Sequence, residues 1–136
     1  MKFYNVYIDE TVGLPTREQV IKKYTDNYQG FVAEEYLGYL YGLINEEPKR
    51  LVIKVNGITE VKYIPEEDVT LKPSKLPIKK DNCAQLKMIE LMGGIGKINY
   101  DHPDPIKAIT KIITDEKINP LKVLSMAKKH FAAKEK

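Results

Sequence analysis

The stretch from Glu35 to Gly57, EYLGYLYGLINEEPKRLVIKVNG, decides how the rest of the chain is read. In one uninterrupted run it spells a helix, a glycine stop, a proline-marked turn, a strand and a hairpin turn. Ala33, Tyr36, Leu37, Leu40 and Leu43 recur at spacings of three and four, which predicts a helix over about Val32 to Tyr41 with one apolar face. Gly38 inside that helix costs about 1 kcal/mol relative to alanine and signals a close approach of backbone to a neighbouring element. Gly42 stands where a helix C-terminal cap belongs. LVIKV and ITEVKYI flank Asn56-Gly57, a strong short-range hairpin signal. The run holds no His, Cys or Ser and nothing like a cofactor loop. Its regularity serves packing, which points to a function exercised by binding.

Upstream, KFYNVYI at residues 2–8 is β-branched and aromatic enough for a strand, and Gly13 and Pro15 break the chain after it. Thr16 with Gln19 three places on forms a capping box that opens a short helix through Val20, Ile21 and Tyr24. Asp26 to Gly30 reads as a loop. Downstream, Asp68 to Lys72 reads as a further strand and Pro73 to Lys80, with two prolines, as extended chain. Asn82 to Met92 places Leu86, Ile89 and Met92 at helical spacing before Gly93-Gly94. Asp104-Pro105 and Asn119-Pro120 each set a capping residue before a proline at the first helical position. The first of these helices is expected to bury Ile106, Ile109, Ile112 and Ile113. The second is expected to bury Leu121, Leu124, Ala127 and Phe131 and to show Lys122, Lys128, Lys129 and Lys134 to solvent. The last residues, AAKEK, are expected to fray.

These elements predict an α+β fold in a single domain over residues 1–136. Residues 1–13 form a strand and linker, 14–100 an α+β core, and 101–136 a C-terminal helix pair. The expected sheet is small and antiparallel, carries the hairpin at 51–63, and is backed by helices. A chain of 136 residues is long enough to bury a real core. No run of 18 apolar residues exists to span a membrane, and the N-terminus lacks the apolar region of a signal peptide. The single cysteine, Cys83, excludes an internal disulfide and fits a reducing cytoplasm.

Charge narrows the function classes. Residues 1–100 carry 14 Lys and Arg against 14 Asp and Glu, so the whole excess of +3 lies in the last 36 residues. That tilt is weaker than the basic stripe of a dedicated nucleic-acid binder. Only Arg17 and Arg50 supply guanidinium groups, the usual readers of base edges. MGGIGKI at 92–98 fails as a phosphate-binding loop, because Leu91 and Ile98 stand where a glycine and a Ser or Thr are required. His102 between Asp101 and Asp104 superficially resembles a metal or acid–base cluster; it lacks natural partners for zinc and reads better as a helix-entry loop. Cys83 has no local base and reads as a small core residue. Glu34-Glu35 and Glu46-Glu47 are sequence neighbours, and on a helix neighbours do not face each other. No catalytic, cofactor or metal residues are assigned. Nine tyrosines and no tryptophan are the least bland feature of the composition. Tyr36, Tyr39 and Tyr41 share one helix and cannot all face inward, so they are a candidate aromatic interface alongside ordinary amphipathic packing.

Taken together, LPTREQVIKKY from Leu14, GFVAEEYLGYLYGL from Gly30, Pro48 five residues past Leu43, and the apolar strand ending at Asn56-Gly57 resemble the AbiEi-type antitoxins of abortive-infection toxin–antitoxin systems. KLPIKKDNCAQLKMIEL is similar to the Pro-then-helix segment of that family, and DPIKAITKIITDEKINPLKVLSMAKK to its closing helix pair. The resemblance covers roughly residues 14–130 and rests mostly on structural residues. It implies a non-catalytic phage-defence antitoxin that binds a nucleotidyltransferase-type toxin and takes part in transcriptional regulation. Such antitoxins carry an N-terminal winged-helix domain, for which this chain has no room before Leu14. Partner binding is therefore the role the resemblance passes on. A nucleic-acid-binding regulator using Lys122, Lys128, Lys129 and Lys134 is the alternative, and a small enzyme around His102 a distant third.

Overall fold

The computed structural model describes residues 14–134, and the side chains of residues up to 131. The strand expected at residues 2–8, and the last two residues of the AAKEK tail, lie outside the described residues. The fold is α+β, with a helical C-terminal third. In chain order it comprises α1 (Arg17–Thr25), β1 (Gly30–Ala33), α2 (Glu34–Leu40), β2 (Val52–Val55), β3 (Lys62–Ile64), β4 (Val69–Pro73), α3 (Cys83–Gly93), α4 (Pro105–Asp115) and α5 (Pro120–Lys134). Thr16 and Gln19 close the expected capping box at the start of α1, with both reciprocal hydrogen bonds present.

The four strands form one mixed sheet in the order β1-β2-β4-β3. β1 runs antiparallel to β2, β2 parallel to β4, and β3 antiparallel to β4. This corrects two expectations. The sheet is not wholly antiparallel, and Asn56-Gly57 does not close a hairpin between LVIKV and ITEVKYI. β2 is an inner strand with both neighbours already taken, and the Asn56 side chain is committed elsewhere. Its Nδ2 donates to the Ile78 carbonyl and its Oδ1 accepts from the Ile78 N–H, both at 2.9 Å. Asn56 thereby grips the extended, proline-marked segment from Pro73 to Lys80 as a peptide group would. The hairpin lies one step later, where Ile64 and Val69 are joined by a four-residue turn with Asp68 at φ +50°.

A third correction concerns Val32 and Ala33, which fit the helical period but belong to β1. All four residues of β1 are buried, so no polar alternation advertises a strand. A Cβ on Gly30 would stand 2.8 Å from the Lys54 carbonyl oxygen, which reserves that position for glycine. Glu34, at the junction of β1 and α2, has φ +57°. A left-handed residue there prevents the helix from extending backward.

The core gathers Phe31, Leu37, Leu51, Ile53, Met88, Ile89 and Leu91 with the other buried apolar residues of the sheet and α3. α3 packs on α2, α4, α5 and β1. Gly38 is close-packed as expected: a Cβ there would lie 3.0 Å from Cε1 of Tyr100. The same Tyr100 ring lies under Gly94, and its hydroxyl donates to the Leu91 carbonyl at 2.8 Å. Two glycines thus make room for one ring.

α4 and α5 begin at the expected Asx-Pro pairs, with Asp104 accepting from the Lys107 N–H and Asn119 from the Leu121 N–H. Their buried faces are not as expected. In α4 only Ile109 is fully buried, Ile112 and Ile113 are half-buried, and Ile106 is exposed. In α5 the core contact is made by Val123, Met126 and Ala127, while Leu121 and Leu124 are 75% and 55% exposed.

Candidate binding surfaces

Two regions carry unusual surface chemistry. One is a charged cleft lined from α2, β2, α3 and the end of α5; the other is the outer face of α5.

The cleft is built on Glu90. α3 is otherwise so apolar that six of its residues are buried, and Glu90 is the carboxylate on it. Lys54 is its counterpart in the buried strand β2. Their charged atoms meet at 2.8 Å, with side chains 18% and 12% exposed. The other Glu90 oxygen accepts from the Glu34 N–H at 3.1 Å, which pins the left-handed junction. Glu34 in turn takes Lys72 at 2.5 Å and Arg50 at 3.7 Å. Desolvation of a half-buried pair is offset only when the remaining lone pairs are also satisfied, and here they are. Backbone strain at such a junction persists only when the surroundings over-determine it; this network supplies that constraint. The resulting hollow has a volume of about 340 Å³, and its lining includes Glu35, Lys54, Lys75, Glu90, Lys97 and Phe131. Burial and the neighbouring charges of Lys54 and Lys97 hold the Lys75 ammonium below its ordinary pKa.

Sequence reasoning passed over Glu90, Lys54 and Glu34 as a group. The usable signals were a lysine inside the apolar strand LVIKV and a glutamate inside an apolar helix. Each is anomalous alone, and together they predict a pair.

On α5, Leu121, Leu124, Lys128 and Phe131 are spaced three, four and three residues apart, which aligns them along one face of a helix. All four are exposed, Phe131 at 40%. The opposite side, carrying Val123 and Met126, faces the core. Lys129 is also exposed. Lys122 is half-buried and donates to the Asp81 carbonyl, so it ties α5 to the start of α3 instead of reaching freely into solvent. The Lys134 side chain lies outside the described residues.

The tyrosine cluster turns inward. Tyr36 is buried, with its hydroxyl donating to Glu47, and its ring meets Tyr39 edge-on at 5.5 Å. Arg17 lies 5.4 Å above the Tyr36 ring and also donates to the Lys49 carbonyl at 2.5 Å. Tyr39 and Tyr41 are half-buried, and the Tyr41 hydroxyl reaches Glu116 at 3.5 Å. Burial, reinforced by Glu47 and Glu116 respectively, pushes the Tyr36 and Tyr41 hydroxyls up to about 12. Tyr36 is thus buried away from any partner, whereas Tyr39 and Tyr41 keep part of their surface exposed. Both arginines are likewise engaged within the chain.

The remaining candidates are structural. His102 Nδ1 accepts from the Asp104 N–H at 3.0 Å, as expected of a helix-entry loop. Among the described residues no group of three or more His, Cys, Asp or Glu side chains could hold a metal ion. Cys83 is buried, and burial pushes its thiol up, against any thiolate chemistry at the helix start. MGGIGKI forms a tight turn in which the Ile98 N–H donates to the Gly94 carbonyl at 2.7 Å. Among the described residues no helix is long and apolar enough to cross a membrane. Comparison with protein-family models, with curated proteins and with solved structures finds no match to this chain.

Proposed function

We propose that the chain is a non-catalytic, antitoxin-like protein-binding module, and that the outer face of α5 carries the contact. The observation behind this reading is the exposed stripe of Leu121, Leu124 and Phe131, three large apolar side chains aligned on one helix face. Large apolar side chains aligned on one helix face fit an apolar groove in a partner. Lys128 within the stripe and Lys129 beside it fit a groove with an acidic rim. The resemblance to AbiEi-type antitoxins names the class of partner: a nucleotidyltransferase-type toxin, bound at equal stoichiometry in the cytoplasm. No chemistry is asked of this chain in that role.

The reading expects a nucleotidyltransferase-like protein to be encoded beside it, and the test is co-expression with such a protein, followed by affinity purification and relief-of-toxicity assays. The expected result is an equimolar complex that a Leu121→Asp/Leu124→Asp variant loses, with affinity falling at least about 30-fold, since centrally buried anchors contribute about 2 kcal/mol or more each. A folded variant that still binds and neutralises would overturn the assignment to α5.

Exposed Lys128 and Lys129 favour a second reading, a regulator that binds nucleic acid along the same helix. That reading expects affinity that falls steeply with salt and that Lys128→Glu/Lys129→Glu abolishes. Binding unchanged in that variant would eliminate it.

A further inference from the structure

We propose that the cleft beside Glu90 binds a small organic phosphate bearing a flat ring, of about the size of a mononucleotide. Three observations converge there, and of their residues only Phe131 also enters the partner reading. The first is a charge imbalance. Glu90 is matched by Lys54, and Glu34 by Lys72 and Arg50. Lys75 and Lys97 also line the hollow, and among the described residues their ammonium groups form no hydrogen bond or ion pair. Counted with Lys72 and Arg50 behind the wall, five cations surround three carboxylates, Glu34, Glu90 and the exposed Glu35, and Glu90 also acts on Lys75. Like charges gathered at a concave site raise the local concentration of an anion.

The second observation is the kind of cation. Both arginines are used elsewhere, so the cleft offers lysine ammonium groups, compact charges that suit a phosphate more than the bidentate geometry of a carboxylate. Lys75 is held between Pro73 and Pro77, and Lys97 on the tight turn after α3, so both stems start from constrained backbone. Burial first, and then the proximity of Lys54 and Lys97, disfavour protonation of Lys75 against the opposing charge of Glu90. A bound dianion relieves that repulsion.

The third observation is the apolar wall. Ile89, Ile98 and the partly exposed Phe131 complete the lining, giving a ring face on which a flat heterocycle stacks. The volume of about 340 Å³ falls at the small end of the range for ligand sites.

Isothermal titration of the full chain with adenosine monophosphate and with inorganic phosphate tests this. Saturable binding of the nucleotide is expected, with Kd on the order of 0.1–1 mM and weaker binding of inorganic phosphate at the same residues. Lys75→Gln/Lys97→Gln, at exposed positions and with its melting temperature unchanged, should weaken both at least about tenfold. Phe131→Ala should weaken the nucleotide and leave inorganic phosphate unaffected. Absence of saturable nucleotide binding up to ~10 mM, or binding retained by the double lysine variant, overturns the site. Equal affinity for the two probes, or nucleotide binding indifferent to Phe131→Ala, overturns the ring position. Leu121→Asp/Leu124→Asp should leave the nucleotide isotherm unchanged, so loss of the partner reading and loss of this one are separate results.

Discussion

α3 and α5 are both apolar helices that pack on each other, yet they treat their apolar residues in opposite ways. α3 buries Leu86, Met88, Ile89 and Leu91 around most of its circumference and pairs its one carboxylate with a lysine from the sheet. α5 buries a narrow strip through Val123 and leaves two leucines and a phenylalanine outside. α3 is the axle on which the fold assembles, and its sequence is spent on stability. α5 needs only part of its apolar surface to stay attached, and the remainder is available for binding. On the proposed reading, the contrast separates residues whose loss unfolds the protein from residues whose loss abolishes binding.

The largest expected effect tests that separation directly. Leu91, 1% exposed within α3, should cost about 3–4 kcal/mol on replacement by alanine, through lost transfer free energy and the cavity left behind. Leu121→Ala, on the outer face of α5, should stay within about 0.5 kcal/mol. Urea denaturation of the two variants measures both. A Leu121→Ala cost near that of Leu91→Ala would mean that the α5 stripe is structural after all.

Next in size is the ion pair that α3 makes with β2. Glu90→Leu strands the Lys54 ammonium in a half-buried site and should cost about 3 kcal/mol; Lys54→Met/Glu90→Leu should recover most of that, because an apolar pair avoids the desolvation penalty. The double-mutant cycle in chemical denaturation gives the coupling. A double variant no more stable than Glu90→Leu alone would show that Glu90 matters chiefly through the Glu34 N–H, and hence through the strained junction.

How much of this was legible depended on the range of the interactions involved. The capping box at Thr16, the Asx-Pro starts of α4 and α5 and the close packing at Gly38 are settled within a few residues, or by the absence of a side chain, and all appear as read. β1 was missed because a four-residue strand buried on both faces shows no alternation. The Asn56-Gly57 hairpin failed because the competing bond comes from Ile78, 22 residues away. In α5 both Leu121-Leu124-Phe131 and Val123-Met126-His130 satisfy the helical period, so only packing against α3 chooses the inner face. The charged cleft was hidden for the same reason, since Lys54 and Glu90 are 36 residues apart and neither has a local motif.

A smaller effect distinguishes the packed helices by pH. Tyr36, Tyr41 and Tyr100 each have a hydroxyl pushed up to about 12, burial being the first cause in every case. The folded state therefore favours the protonated phenols. Their contribution to stability is fully present below the ordinary value near 10 and is lost as pH rises from there toward 12. Each phenol adds at most about 1.4 kcal/mol per pH unit to that slope. Replacing Tyr36 by phenylalanine should flatten the alkaline limb of a stability–pH profile measured by urea denaturation. An unaltered limb would place the titration elsewhere.

The smallest effect concerns how helices end, and it runs in the stabilising direction. α2 closes with the Leu43 N–H on the Gly38 carbonyl at 2.8 Å and the Gly42 N–H on the Tyr39 carbonyl at 3.1 Å, with Gly42 at φ +81°. α4 closes with the same pair of bonds, Ile118 to Ile113 at 2.9 Å and Lys117 to Thr114 at 3.2 Å, around Lys117 at φ +57°. Both are Schellman motifs, one written with the residue that suits it and the other with a lysine that pays for its Cβ. In the second, Ile118 is 7% exposed and anchors the turn in the core, which holds the lysine in place despite the strain. Lys117 is exposed, with no side-chain partner among the described residues. Lys117→Gly should therefore raise stability: a left-handed residue with a Cβ costs about 1–2 kcal/mol, and the greater freedom of glycine in the unfolded chain takes back about 0.5–1 kcal/mol. The expected net is a gain of about 0.5–1 kcal/mol, read as a higher urea midpoint at unchanged m-value. A loss would mean that the lysine side chain contributes to the surface near α5, and would move the boundary between the two regions toward the end of α4.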